Sequence, residues 1–181
     1  MATGRMAAAA MAAAILAVPG ISTAGDAVPN ESAATAHVRS SNPTIAALIR
    51  EAIQRSATFR GLVAAIDASD SIVFVEQGIC AHGVRACFLS VSATKSNRYM
   101  RVIVDMHKAD TELMGSIGHE LRHTLEVIAE PGVRDDKAMY FFYERNGTHS
   151  LTGTHETGTA VDTGNAVRSE ISGFNRASHA R

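Results

Sequence analysis

Ile117-Gly118-His119-Glu120-Leu121-Arg122-His123-Thr124-Leu125-Glu126 sets two histidines four residues apart, with a glutamate directly after the first. On a helix that spacing brings both imidazoles to one face, a turn apart, where they can grip one metal ion. Glu120 then lies beside the ion, placed to take a proton from water.

The surrounding residues predict that helix. Asp110 is a suitable N-cap with Glu112 in the first turn, and Pro131-Gly132 is a stop signal. Between them only Gly115 and Gly118 weaken the pattern. Leu113, Ile117, Leu121, Thr124 and Ile128 make a mostly apolar stripe. At about 100° per residue, His119, His123, Glu126 and Glu130 fall on nearly the opposite side, with Glu120 at the boundary. Such a polar face is either plain solvated surface or half of a metal site. The second case requires another segment to cover it and supply a third donor.

Glu126 cannot be that donor. It stands seven residues after His119, about 10 Å along the axis, too far for three ligands to converge on one ion. It suits a different task, accepting a hydrogen bond from an imidazole nitrogen that faces away from the metal. The longer pattern HExxHxxGxxH is also ruled out, because Glu126 stands where it needs glycine and Ala129 where it needs histidine. The third donor is therefore expected downstream, among Asp135, Asp136, His149, His155, Glu156 and Asp162. Glu156 is preferred, since Gly153-Thr154-His155-Glu156 reads as the entrance to a second helix continuing through Ala160, Val161 and Val167. Asp135 and Asp136 read more naturally as caps of a helix over 133–145.

The segment from Gly118 to Asp135 resembles the signature of the HExxH zinc metallopeptidases. Within them it is similar to small secreted bacterial proteins with GHELxHxxE and a downstream glutamate helix, a gluzincin-like arrangement. The resemblance implies a minimal zincin-like α+β domain, with Zn2+ held by His119, His123 and Glu156. It further implies Glu120 as general base and hydrolysis of peptide bonds in a peptide or protein substrate. In zincins, an edge strand leading into the motif helix commonly pairs with the substrate main chain. This chain departs from the pattern twice: Arg122 puts a charge between the histidines, and Ala160 stands where gluzincins often carry an aspartate.

Residues 1–24 read as a secretory signal peptide, with Arg5, then an Ala-rich apolar run, then Ser22-Thr23-Ala24 as a small-residue cleavage site. The expectation is a secreted or periplasmic protein with no membrane attachment after cleavage. Export suits Cys80 and Cys87, which an oxidising compartment would join as a structural disulfide.

The mature chain, about 157 residues, is enough for one domain. A formal net charge of -1 and the absence of tryptophan give no footprint for nucleic acid. Residues 25–41 read as a flexible leader, 42–173 as the domain and 174–181 as a disordered tail. Asn42-Pro43 should open a first helix burying Ile45, Leu48, Ile49, Ala52 and Ile53, and Ser56 should cap a second burying Phe59, Leu62, Val63 and Ile66. Residues 71–76, 86–92 and 99–105 then read as a three-stranded antiparallel sheet in meander order. Tyr140, Tyr143, His149 and His155 are candidates to stabilise an oxyanion, with no choice among them. An alternative to the peptidase is an exported zinc-binding or interaction domain with no catalytic activity.

Overall fold

A computed structural model of the chain describes residues 37–149 and 155–179. The signal-peptide reading falls outside the described residues, as do most of the leader and residues 180–181. In chain order the elements are β1 (Val38–Arg39), α1 (Pro43–Arg55), α2 (Ala57–Asp67), β2 (Ser71–Gln77), β3 (Ala86–Ala93) and β4 (Arg98–Val104). There follow α3 (Thr111–Ile128), α4 (Asp136–Asn146), a small hairpin of β5 (Thr148–His149) and β6 (His155–Glu156), and α5 (Gly158–His179).

The first two helices start where local chemistry says they should. Asn42 Oδ1 accepts from the amides of Thr44 and Ile45, and Ser56 Oγ from that of Phe59. Ile45, Leu48, Ile49 and Ala52 of α1 are buried, as are Phe59, Leu62, Val63 and Ile66 of α2, while Ile53 is only partly buried.

The sheet is four-stranded and mixed, in the order β1-β2-β4-β3, which corrects the expected three-stranded antiparallel meander. β2 pairs with β4 in parallel, Ser71 opposite Arg98 and Gln77 opposite Val104, and β3 folds back antiparallel on the outer side of β4. Burial explains the order. Val102, Ile103 and Val104 are buried in succession, the mark of a strand covered on both faces, so β4 takes the interior. β3 exposes Leu89 and Ser92 and suits an edge. The Cys80–Cys87 disulfide closes the long connection from β2 to β3, and within it Gly83 adopts a φ of 70°, a left-handed conformation that suits glycine.

Two boundaries differ from expectation. The flexible leader does not run to residue 41, because Val38–Arg39 adds to β2 as a parallel strand and Val38 is buried in the core. Nor is the end of the chain disordered from residue 174: α5 continues to His179. Arg55 Nη1 donates to Asn175 Oδ1 at 2.8 Å, and its guanidinium sits 5.5 Å from the Phe174 ring centroid, so α1 supports that last stretch.

Arg98 ties the sheet to the motif helix. It is 4% exposed and donates to the carbonyls of Val127, Ile128 and Glu130 at the end of α3, and to Asp70 Oδ1 through Nε and Nη2. A guanidinium thus satisfies the carbonyls that a helix terminus leaves open. Arg98→Met is expected to cost about 2–4 kcal/mol in urea unfolding, since buried carbonyls lose charged donors. The hydrogen bonds from Arg98 outweigh partial burial and hold the Asp70 carboxyl below its ordinary 3.8. A lowered acid contributes stability above its unfolded value, so that part of the bond should be present above about pH 3.8 and fade as pH falls through the lower folded value.

Gly115 and Gly118 have a structural role in the helix they seemed to weaken. They let α5 lie directly on α3: a Cβ on Gly118 would come within 2.9 Å of Val167 Cγ2. Gly118→Ala is expected to destabilise the fold by about 1–2 kcal/mol, because overpacking at a helix contact exceeds the gain in helix propensity. A lower urea midpoint at unchanged slope is the readout.

Candidate metal centre

α3 forms as expected, with Asp110 Oδ1 accepting from the Leu113 amide. Leu113, Ile117, Leu121 and Thr124 are buried, so the apolar stripe faces the core and fixes the helix's rotation. His119, Glu120 and His123 are consequently turned toward β3, α4 and the strand preceding α5.

His119, His123 and Glu156 come together as a cluster that can hold a metal ion. His119 Nε2 is 3.1 Å from His123 Nε2 and 3.0 Å from Glu156 Oε2, and His123 Nε2 is 3.8 Å from the same oxygen. A tetrahedral ion bound at about 2.0–2.1 Å separates its donors by about 3.3 Å, so the spacing fits one small cation. Glu156 Oε2 is buried and accepts no well-directed hydrogen bond despite its closeness to His119. A buried carboxylate oxygen without a hydrogen bond, facing two imidazole nitrogens, has a lone pair directed where a cation would be held.

The route by which Glu156 arrives differs from the reading of the sequence. It does not open a helix; it lies on the two-residue β6, paired with Thr148 of β5, and α5 begins only at Gly158. Thr157 Oγ1 accepts from the Ala160 amide and serves as the start signal for α5. Of the other candidate donors, Asp135 caps α4 by accepting from the Ala138 amide, Asp136 accepts from the Val91 amide, and Asp162 is exposed. His149 pairs along the backbone with His155, and its side chain lies outside the described structure.

Glu126 does what its spacing suggested. Its Oε2 lies 2.9 Å from His123 Nδ1, while Oε1 accepts from the hydroxyls of Thr157 and Thr159 at 2.7 and 2.6 Å. One carboxylate therefore sets the orientation of a candidate ligand and ties α3 to the segment beside Glu156. Thr157 and Thr159 were not foreseen, because nothing in a Thr-Gly-Thr run signals a partner 31 residues upstream.

Glu120 is 7% exposed, and its Oε2 accepts from the Phe88 amide of β3 at 2.8 Å. The other oxygen, Oε1, lies 3.9 Å from His119 Nε2. Burial pushes the Glu120 carboxyl above its ordinary value, although the two imidazoles and the Phe88 amide oppose the shift. For His123, burial would lower the pKa, but its hydrogen bond to Glu126, its closeness to Glu156 and the charge of Glu120 raise it to about 9. Glu156 is lowered to about 2, chiefly by its contact with His119. Burial would raise Glu126, yet His123, Thr159 and Thr157 bring it to about 2. Three carboxylates around two imidazoles make a negative pocket that favours a cation.

The cluster opens into a cavity of about 410 Å³ whose lining includes Val84, Phe88, Met139, Tyr140, Tyr143 and His155. Of the candidates for oxyanion stabilisation, Tyr143 is already committed, its hydroxyl donating to the His123 carbonyl at 3.0 Å. Burial, followed by the charges of Glu126, Glu120 and Glu156, raises its phenol well above the usual range. His155 stacks on Tyr143 with its Nε2 3.3 Å from Glu144 Oε1, and Tyr140 is half exposed at the cavity wall.

Removing the Glu126 carboxylate should loosen the site without abolishing it. Glu126→Ala is expected to bind an added divalent cation about 10–100-fold more weakly than the wild type, as measured by competition with a chromophoric chelator. Comparison with protein-family models, with curated proteins and with solved structures returns no match.

Proposed function

We propose that this chain is an exported zinc-dependent peptidase of the HExxH type, with His119, His123 and Glu156 as ligands and Glu120 as general base. The observation that carries the reading is the convergence of these three donors, with Glu120 alongside, on one largely apolar cavity. Two imidazoles and one carboxylate are the protein ligands of a catalytic zinc site with an open fourth position. Zinc bound there supplies a Lewis acid that lowers the pKa of water and polarises a carbonyl.

The chain's own residues supply the remainder. Glu120, anchored through Oε2 by the Phe88 amide, keeps Oε1 on the ligand side to accept a proton. Glu126 accepts the Nδ1 proton of His123 and leaves Nε2 with its lone pair toward the ligand cluster. Phe88, Met139 and Tyr143 give the reacting groups a partly apolar wall.

Export is supported by the Cys80–Cys87 disulfide, which an oxidising compartment preserves. Among the described residues no helix is long and apolar enough to cross a membrane. The test is the zinc content of the purified protein together with metal-dependent cleavage of peptides. One zinc per chain and cleavage that stops on chelation are expected. A protein that takes up no zinc would overturn the proposal, and one that binds zinc but cleaves nothing would be an exported metal-binding domain.

A further inference from the structure

The outer edge of the sheet beside the candidate centre is β3, and most of it is already covered. The amides that β3 turns away from β4 would be the donors for an added strand. The Phe88 amide is bonded to Glu120 Oε2 and the Val91 amide to Asp136 Oδ1, each at 2.8 Å. Beyond them, Arg134 Nη2 donates to the Thr94 carbonyl just past the strand. The turn from α3 into α4 thus anchors to this edge in place of a partner strand. Between the first two anchors the pairing with β4 shifts register at Phe88/Ser90, and Leu89 points into solvent. A bulge is itself a device that spoils an edge for further pairing.

What stays open is the near end, where Val84, Arg85, Ala86 and Cys87 line the cavity together with His119, Glu120 and Glu156. At about 3.3 Å per residue, Ala86 and Cys87 of β3 together with the Val84–Arg85 lead-in offer about 13 Å. The cavity of about 410 Å³ is in the range that encloses a small molecule.

Building on the peptidase reading, we infer that the cleft takes short peptides, of about two to four residues, held within the cavity, and not an extended polypeptide added as a strand along β3. From the sequence, that pairing was expected of the strand leading into the motif helix, residues 99–105, but that strand is the interior β4 and the edge belongs to β3. The obstruction belongs to the fold, because removing it would break the contacts of Glu120 and α4 with β3.

Binding measured without turnover tests this. Zinc-loaded Glu120→Gln protein is titrated by calorimetry with free-ended alanine-rich peptides of two, four, six, eight and ten residues, each carrying one phenylalanine. The expected result is binding by the short members, with affinity changing less than about twofold from four residues to ten. Strand addition would instead gain about two main-chain hydrogen bonds per two added residues, tightening affinity by about tenfold at each step. Affinity that climbs in this way, or no binding at any length, overturns the inference. The peptidase reading is scored separately on wild-type protein. Short peptides that bind the variant but are left uncut by the zinc-loaded wild type would remove the peptidase and keep the inference. Wild-type cleavage confined to long polypeptides would do the reverse.

Discussion

Glu120→Gln is expected to retain one zinc per chain and to lose about 10²–10⁴-fold in kcat, the usual contribution of a positioned general base. The substitution isolates the proton-accepting role because little else changes. Glutamine has nearly the same volume, and its carbonyl oxygen can still accept from the Phe88 amide that now holds Glu120 Oε2. The ligand set, centred on His119, His123 and Glu156, is untouched. Zinc stoichiometry by elemental analysis and single-turnover cleavage of a peptide give the two readouts. A variant that keeps both zinc and the wild-type rate would exclude Glu120 as the base.

Glu156→Ala should remove stable zinc binding. Structural zinc sites in small peptides are worth about 10–16 kcal/mol in total, so one ligand of four represents about 3 kcal/mol, more than a hundredfold in affinity. His119→Ala and His123→Ala are expected to behave alike, since each contributes one donor of the same cluster. The measurement is the rise in thermal midpoint on adding zinc. An ion present at 1,000 times its dissociation constant stabilises the wild type by about 4 kcal/mol, and at the same zinc concentration the variants should keep only about 1 kcal/mol of that gain. Glu156→Ala is the sharper test. Its backbone remains in the β5–β6 hairpin, so a lost zinc response with an unchanged metal-free midpoint would report the donor and not the fold. An undiminished zinc response would take Glu156 out of the ligand set.

Much of the helical part was legible because helix chemistry is local. Asn42, Ser56 and Asp110 cap the helices they precede, and Leu113, Ile117 and Leu121 mark the buried side of α3 by period alone. The same period put His119 and His123 on one face. Glu126 was assigned to an imidazole because rise per residue excludes it as a shared ligand, and its 2.9 Å contact with His123 agrees.

The sheet was less legible. The three longer strands and the antiparallel β3–β4 pair were read correctly, but β1, β5 and β6 were missed and β2 was put beside β3 when it pairs in parallel with β4, because neighbours in sequence were taken as neighbours in space. The two-sided burial of Val102, Ile103 and Val104 was the available sign that β4 lies inside and not at the edge. Val38 joined the core for a reason outside its own surroundings: a place beside β2 was free to receive it. Likewise the final stretch of α5, polar and glycine-bearing, is helical beside Arg55 of a distant element.

The sequence by itself determined the α3 motif, the ligand types it presents, the two N-terminal helices and the cysteine pair available for a disulfide. These follow from spacings of a few residues, within which backbone geometry sets side-chain direction. Only the tertiary structure brought Glu156 to the histidines on a hairpin, spent the Phe88 amide on Glu120, and joined Thr157 and Thr159 to Glu126. Those contacts join residues about 30 or more positions apart, and no local periodicity encodes which distant groups packing will bring within hydrogen-bonding reach.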